Sequence, residues 1–591
     1  MSLVPRSLLI ALSATVVACS GSSNSNNPPP PPQNPPSAVS LTLLSRYSSG
    51  QFGVGAAASV AYYGGNRTTL IANRHSNRIE VVSLTNPATP QMTAQIDASG
   101  DAATALGRAM GAVAAVAAYD DTDATMDRDR IAVTVMGVGR TDNGAVVVYK
   151  AADRSRVAVL QTGVGPQAVA FSQDGRYVIT ADKGAPAPDY SVDPEGSISV
   201  VDLTPTPVAP ATTAPAAISV LDFRAFNVTG VTPIPATSRE TEIQADVRFT
   251  NRSGATRAHD FDPVAVTTAV NSRAFVSLQE NNAMATVALN PARIETIVGL
   301  GSKDFNTSTS SMDASDQDAG GALTARPVRG FRQPGALLAF RNTDEVLLIT
   351  ANTGAPRMLP GLDETTRAAT LLLDSTVFPT AATLQQNANL GRLIVSAAEG
   401  NAPATGTGTG AVPQDPDRET IFTFGARSFS IIRTTGFPIF DSGNDFERVT
   451  LERLTTNFNS AANANGTGDT RSDDQGPAPK AVAIGQIDGA AFAFIGLSEV
   501  GGIMVYAMDS TLRSARFLEY KSDRTFNVAA SNPDGNGDGA PDSNPAAGDL
   551  GPSQMIFVPI SASPTADSLL IVGNAVSGST TVYAVKPVPA T

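Results

Sequence analysis

Oxygen ligands and arginines carry whatever chemistry this chain has, because nitrogen and sulfur ligands are scarce: two histidines, His75 and His259, and one cysteine, Cys19. Asp534-Gly535-Asn536-Gly537-Asp538-Gly539 has the Asp-x-Asn-x-Asp-Gly spacing of a calcium loop, in which alternate oxygens wrap one ion and glycine relieves the turn. Asp542 stands at the ninth position, but Pro545 replaces the closing bidentate Glu. Asp534, Asn536, Asp538 and Asp542 therefore read either as a Ca²⁺ loop or as a plain acidic turn. Asp120-Asp121-Thr122-Asp123 and Asp313-Ala314-Ser315-Asp316-Gln317-Asp318 are weaker cation signals.

A second polar set is Arg427, Glu447, Arg448, Arg471, Asp473 and Asp474, joined by Glu280. Arginine matches phosphate or carboxylate through paired hydrogen bonds, and adjacent carboxylates ligate a cation or serve as a base. The same residues suit buried ion pairs between sheets. With no histidine beside them, we read them as structural links first and as an active site second. No His-Glu-x-x-His, phosphate-binding Gly-x-x-x-x-Gly-Lys-Ser/Thr loop or Gly-x-Ser-x-Gly elbow between strand and helix is present. Both histidines read as structural or surface residues.

The elements that must position these groups are short strands. Charged residues are only 16%, while 50 Gly and 41 Pro punctuate short apolar runs. Seven segments repeat a turn, a β-rich run, an Asp/Gly/Asn turn and a second β-rich run. The clearest is Gly165 to Phe171, Gln173 to Arg176, then Tyr177 to Ala181, with Asp174-Gly175 as the hairpin signal. Similar pairs span 57–72, 113–135, 263–278, 334–350, 479–495 and 553–572. Small antiparallel sheets bury their faces against one another, and radial stacking does so with few open edges. The pattern predicts an all-β, seven-bladed β-propeller over 40–591, its ends clasped by pairing Leu41 to Tyr47 with Thr580 to Val585. Two β-sandwiches are the competing architecture. Insertions fall near 204–258, 300–330 and 353–425, with low complexity at Thr405 to Gly410 and a helical pattern at Glu364 to Leu373.

At the other end of the chain, Arg6, the apolar run Leu8 to Val17 and Val16-Val17-Ala18-Cys19 have the order of a lipoprotein signal over 1–18, with lipid on Cys19. An ordinary secretory signal is the alternative. Residues 19–39, rich in Ser, Asn and Pro, predict a disordered tether. Ser20, rather than the Asp that retains lipoproteins at the inner membrane, points to the outer membrane. A net charge of −13, with no basic cluster, argues against nucleic acid as a partner.

Asp189 to Ser197, Leu278-Gln279-Glu280-Asn281-Asn282-Ala283, Asn389 to Leu393, Arg427 to Ile431, Phe440 to Arg448, Arg471 to Pro477 and Val576 to Tyr583 together resemble the choice-of-anchor I family over about residues 41–586. The resemblance implies a bacterial surface or secreted β-propeller on varying anchors, some relatives being labelled alkaline phosphatases. Where relatives carry acidic residues near inner-strand ends, this chain has Ala58, Lys183, Thr353, Ala478, Lys480, Ser553 and Ala575, which implies loss of a channel cation site. The expected function is a lipid-anchored, non-catalytic binding or scaffold module for a protein or glycan ligand. The alternative is a Ca²⁺-dependent phosphoesterase.

Overall fold

The computed structural model describes residues 36–121, 128–203, 207–208, 212–213, 216–228, 238–244, 246–250, 255–401 and 417–588. The signal segment, Cys19, most of the tether, Asp123 and Thr405 to Gly410 lie outside them. The fold is all-β, with ten antiparallel sheets, one mixed sheet and few helices.

Seven of these sheets have four strands each. In chain order they begin with Ser59–Tyr63 (sheet I), Val113–Tyr119 (II), Pro166–Phe171 (III), Pro263–Ala269 (IV), Ala336–Arg341 (V), Pro479–Ile487 (VI) and Pro552–Val558 (VII). The first strand of each touches the first strand of the next, and that of VII returns to I. Val39–Ser48 completes sheet VII, pairing antiparallel with Ser579–Pro587 from Val39 opposite Pro587 to Ser48 opposite Ser579.

Local chemistry explains the strands. Pro166, Pro263, Pro479 and Pro552 each open a strand, where no ladder donor is lost, and each is followed by a one-residue register shift. In the hairpin of sheet III, Gly175 has φ +67° and its N–H donates to the Ser172 carbonyl. A Cβ at Gly175 would also meet the Tyr119 ring at 2.2 Å.

Successive side chains alternate between faces, so one strand feeds two cores. Ala274, Val276 and Ala285 of sheet IV join Ile179 and Ile198 of sheet III, whereas Phe275 and Met284 join Leu337 and Leu348 of sheet V. Similar clusters fill the I/II, II/III, V/VI, VI/VII and VII/I contacts.

The insertions hold more structure than their composition predicts. Ala217–Asp222 is the fourth strand of sheet III, inside the segment read as an insertion. The other two insertions build a five-stranded mixed sheet from Ser302–Asp304, Val328–Phe331, Ile421–Phe424, Ile394–Ser396 and Thr365–Arg367, over a core including Phe305, Leu373, Phe378 and Leu390. The helical expectation at Glu364 to Leu373 is corrected here. Thr365 and Thr366 are β-branched and pair with Ser396 and Val395, leaving one 3-10 turn at Ala368–Thr370. The helices Ala98–Leu106 and Asp445–Leu454 were not anticipated.

Candidate functional site

A cavity of about 230 Å³ opens where sheets III and IV meet the segment around residues 356–362. Strand ends supply its charges. Lys183 follows Tyr177–Asp182, Asp262 precedes Pro263, and Glu280 follows Arg273–Leu278. Lys183 Nζ lies 3.0 Å from Asp262 and 2.9 Å from Glu280. Arg357 joins Glu280 at 2.5 Å and also binds Asp260. Behind them, buried Arg248 holds Glu364 at 2.5 Å and Glu399 at 2.8 Å.

Burial acts against the charges of Lys183, Asp262 and Glu280, and their partners decide which survive. Burial disfavours the Lys183 ammonium, but Asp262 and Glu280 outweigh it and raise its pKa. Asp262 is pushed up to about 7, first by burial and then by the Glu280 charge. Burial also raises Glu280, but Lys183 and Arg357 hold it down to about 2. Arg140, Asp193, Tyr190, His259, Met358 and Leu359 also line the cavity. His259 Nδ1 lies 2.7 Å from the Thr256 hydroxyl and accepts from the Thr256 N–H at 3.3 Å. The cavity thus presents polar edges whose charges largely cancel, beside apolar side chains.

Of the polar set named from sequence, only Glu280 reaches this cavity. Arg427, 1% exposed, donates through Nη1 to Glu447 and the Asp313 carbonyl and through Nη2 to the Ser472 and Asp474 carbonyls. Glu447, also 1% exposed, sits in the first turn of the helix Asp445–Leu454 and accepts from Asn459 at 3.2 Å. Gly476 leaves room for this arginine, since a Cβ there would meet Arg427 Cδ at 3.1 Å. Asp473 binds Arg367 at 2.6 Å and Arg392 at 3.3 Å. Arg471 pairs with Asp474, and Arg448 with Asp445, both at 2.7 Å. Arg427 and Asp473 tie the mixed sheet to the segments around it, whereas the Arg471–Asp474 and Arg448–Asp445 pairs are local.

Beside that tie, Asp313, Asp318 and Asp469 bring one carboxylate oxygen each within 4.8 Å of the others, among the described residues. Asp313 is fully buried, and its carboxyl is pushed up to about 8, first by burial and then by Glu447, Asp318 and Asp469. The sequence marked Asp313 to Asp318 but not Asp469, which comes from a loop more than a hundred residues away.

The calcium-loop residues turn mostly inward on their own backbone. Asp534 accepts from the Gly537 and Gly539 amides, Asn536 from Asp538, and Asp542 from Gly535 and Asn536. Asp538 meets Gln51 at 2.9 Å and His75 at 3.5 Å.

Sequence reasoning missed Asp260, Asp262 and Arg357. Asp260 ends the one-turn helix Arg257–Asp260, Asp262 and Arg357 lie in connecting segments, and the three take part in contacts 77–97 residues apart. The one available signal was Lys183, a cation at a strand end where the resemblance implied a carboxylate.

Comparison with known proteins gives a family for this arrangement. The choice-of-anchor I domain model matches residues 58–511. Gigasin-3a of Magallana gigas is 30% identical over 134 residues, spanning 22% of this chain and 43% of that protein. The matched stretch is thus less than half of that relative. Kuenenia stuttgartiensis hydrazine synthase has a similar structure at TM-score 0.39 and 9% identity, covering 91% of this chain and 97% of that one.

Proposed function

The chain belongs to the choice-of-anchor I family, and from that premise we propose that it is a surface module that binds without catalysing. Its body is read as a seven-bladed β-propeller, supported by the cyclic contact order of the seven sheets and the pairing of Val39–Ser48 with Ser579–Pro587. Residues 1–18 are read as a lipoprotein signal, Cys19 as the acylated residue in the outer membrane, and 19–39 as the tether. Among the described residues, no helix is long and apolar enough to cross a membrane.

The observation that carries the binding reading is the charge-balanced cavity between sheets III and IV. Lys183 and Arg357 are committed to Asp260, Asp262 and Glu280, so the site offers hydrogen-bonding edges with little net field. Such a site suits an uncharged polar ligand, above all a glycan unit stacked on its apolar wall. Met358, 56% exposed on the rim, allows a test that spares the core. Met358→Glu abolishes binding of the full chain on a glycan array with an unchanged unfolding midpoint; unaltered binding, or no glycan bound by the parent, refutes the reading.

A Ca²⁺-dependent phosphoesterase is the second reading, favoured by the carboxylates of Asp313, Asp318 and Asp469. Both readings meet in one assay on a generic aryl phosphate with Ca²⁺ or chelator. Chelator-sensitive turnover lost in Asp313→Asn selects the enzyme; inertness in both buffers selects the binding module.

A further inference from the structure

Five ionisable side chains bond to one another in the wall of the cavity between sheets III and IV, and their charges do not balance. Lys183 and Arg357 are cations, whereas Asp260, Asp262 and Glu280 are acids. Behind them Arg248 already serves both Glu364 and Glu399, so it spares no charge for the group. Elsewhere in the lining Arg140 and Asp193 cancel, and Tyr190 and His259 are the other titratable groups. With every acid ionised, the five carry one negative charge in excess. A proton relieves a buried excess of this kind.

The donors show which acid takes it. Glu280 accepts from both cations, from Lys183 Nζ at 2.9 Å and from Arg357 Nε at 2.5 Å. Asp260 accepts from Arg357, from the Thr250 N–H at 3.0 Å and from Asn281 Nδ2 at 3.3 Å. Asp262 has one side-chain donor among the described residues, Lys183 Nζ at 3.0 Å, and shares it with Glu280. That bond falls on Oδ2 and leaves Oδ1 for a proton. Two carboxylates on one ammonium repel each other, and the one with fewer donors gives up its charge first. The acidities follow the same order. Asp262 is pushed up to about 7, first by burial and then by Glu280, while Glu280, against burial, is held down to about 2 by Lys183 and Arg357.

We propose that Asp262 is a proton switch for this cavity: with its proton the five groups are neutral and its hydroxyl donates to an uncharged polar ligand, and without it they carry a net negative charge and that donor is gone. The ligand half of this rests on the glycan reading, on which a sugar oxygen accepting from Asp262 is held at acid pH and released as pH rises past neutrality. The proton does not depend on that reading.

The full chain is tested in two arms. In the first, without glycan, denaturation is followed from pH 5 to 8.5 for the parent and for Asp262→Asn, which keeps an oxygen for Lys183 but cannot titrate. Unfolded, the acid loses its proton near about pH 4, so the parent's unfolding midpoint relative to the variant falls as pH rises to about 7 and then levels off. Repeated in a Glu280→Gln background, where two acids face two cations, the levelling moves down by about one pH unit or more, which a merely structural Asp262 would not show. In the second arm, a glycan array is read at pH 5.5 and 8.5, and the glycan retained best is the probe for calorimetry. The parent is expected to bind it about tenfold more weakly at pH 8.5, in proportion to the fraction still protonated. Asp262→Asn binds equally at both values, and His259→Gln keeps the parent's pH dependence, which separates the two residues. An array that retains nothing ends the glycan reading, and the first arm alone then decides the proton. Parallel denaturation profiles for parent and Asp262→Asn overturn the switch, and so does a parent that binds its glycan as tightly or more tightly at pH 8.5.

Discussion

Asp313 shows how a buried group takes its properties from neighbours far away in sequence. Its carboxyl is fully buried with Glu447, Asp318 and Asp469 close by, and it keeps its proton up to about pH 8. Unfolded, it loses that proton near pH 4. Between those values the folded chain holds a proton that the unfolded chain has released, so this group's contribution to stability falls as pH rises from about 4 to about 8. In chelator-treated buffer, denaturation of the parent at pH 5.5 and 8.5 should therefore show a loss that Asp313→Asn lacks. The difference should be at least about 1.4 kcal/mol, the worth of one pKa unit. A parent and variant with parallel pH profiles would remove this account. Residue types alone placed Arg427 and Glu447 in one polar set read first as buried structural links, and the two do form a buried ion pair. Which groups Arg427 binds was not legible, because its four partners lie on three separate segments of the chain.

At the scale of elements, turn chemistry was the most readable signal. The Asp174-Gly175 hairpin and the strand-opening prolines sit where local backbone rules require them. The five-stranded mixed sheet was not readable, since its strands are three or four residues long and its pairings join distant segments. The strand Val39–Ser48 lies between these cases, with an alternating pattern but a partner at the far end of the chain. Leu41 is 5% exposed and packs with Tyr583 and Val585 beside sheet VI. Leu41→Asp would set a carboxylate in that core and should cost about 3 kcal/mol or more. Loss of the whole strand would also bare the edge Ser579–Pro587, a template for pairing between chains. Size-exclusion chromatography of a chain lacking residues 39–48 is therefore expected to show aggregation. A monomeric variant with the parent's unfolding midpoint would mean that the strand is not the clasp of the ring.

Across the whole molecule, each sheet shares one apolar face with the sheet before it and the other with the sheet after it, and the hairpin that completes sheet VII is joined by residues from the opposite end of the body. Both ends of the folded body thus meet in one sheet, and the proposed tether leaves from beside it at Val39. An anchor there would hold the ring at a single point. One acyl chain gives only marginal membrane binding, so the firm attachment proposed at Cys19 requires the several chains of a processed lipoprotein. Detergent phase partitioning of cells expressing the full chain tests this. The parent is expected in the detergent phase and Cys19→Ala in the aqueous phase, each with the same unfolding midpoint because the body is untouched. A Cys19→Ala chain that stays with detergent would refute the lipid anchor while leaving the ring and its cavity as they are.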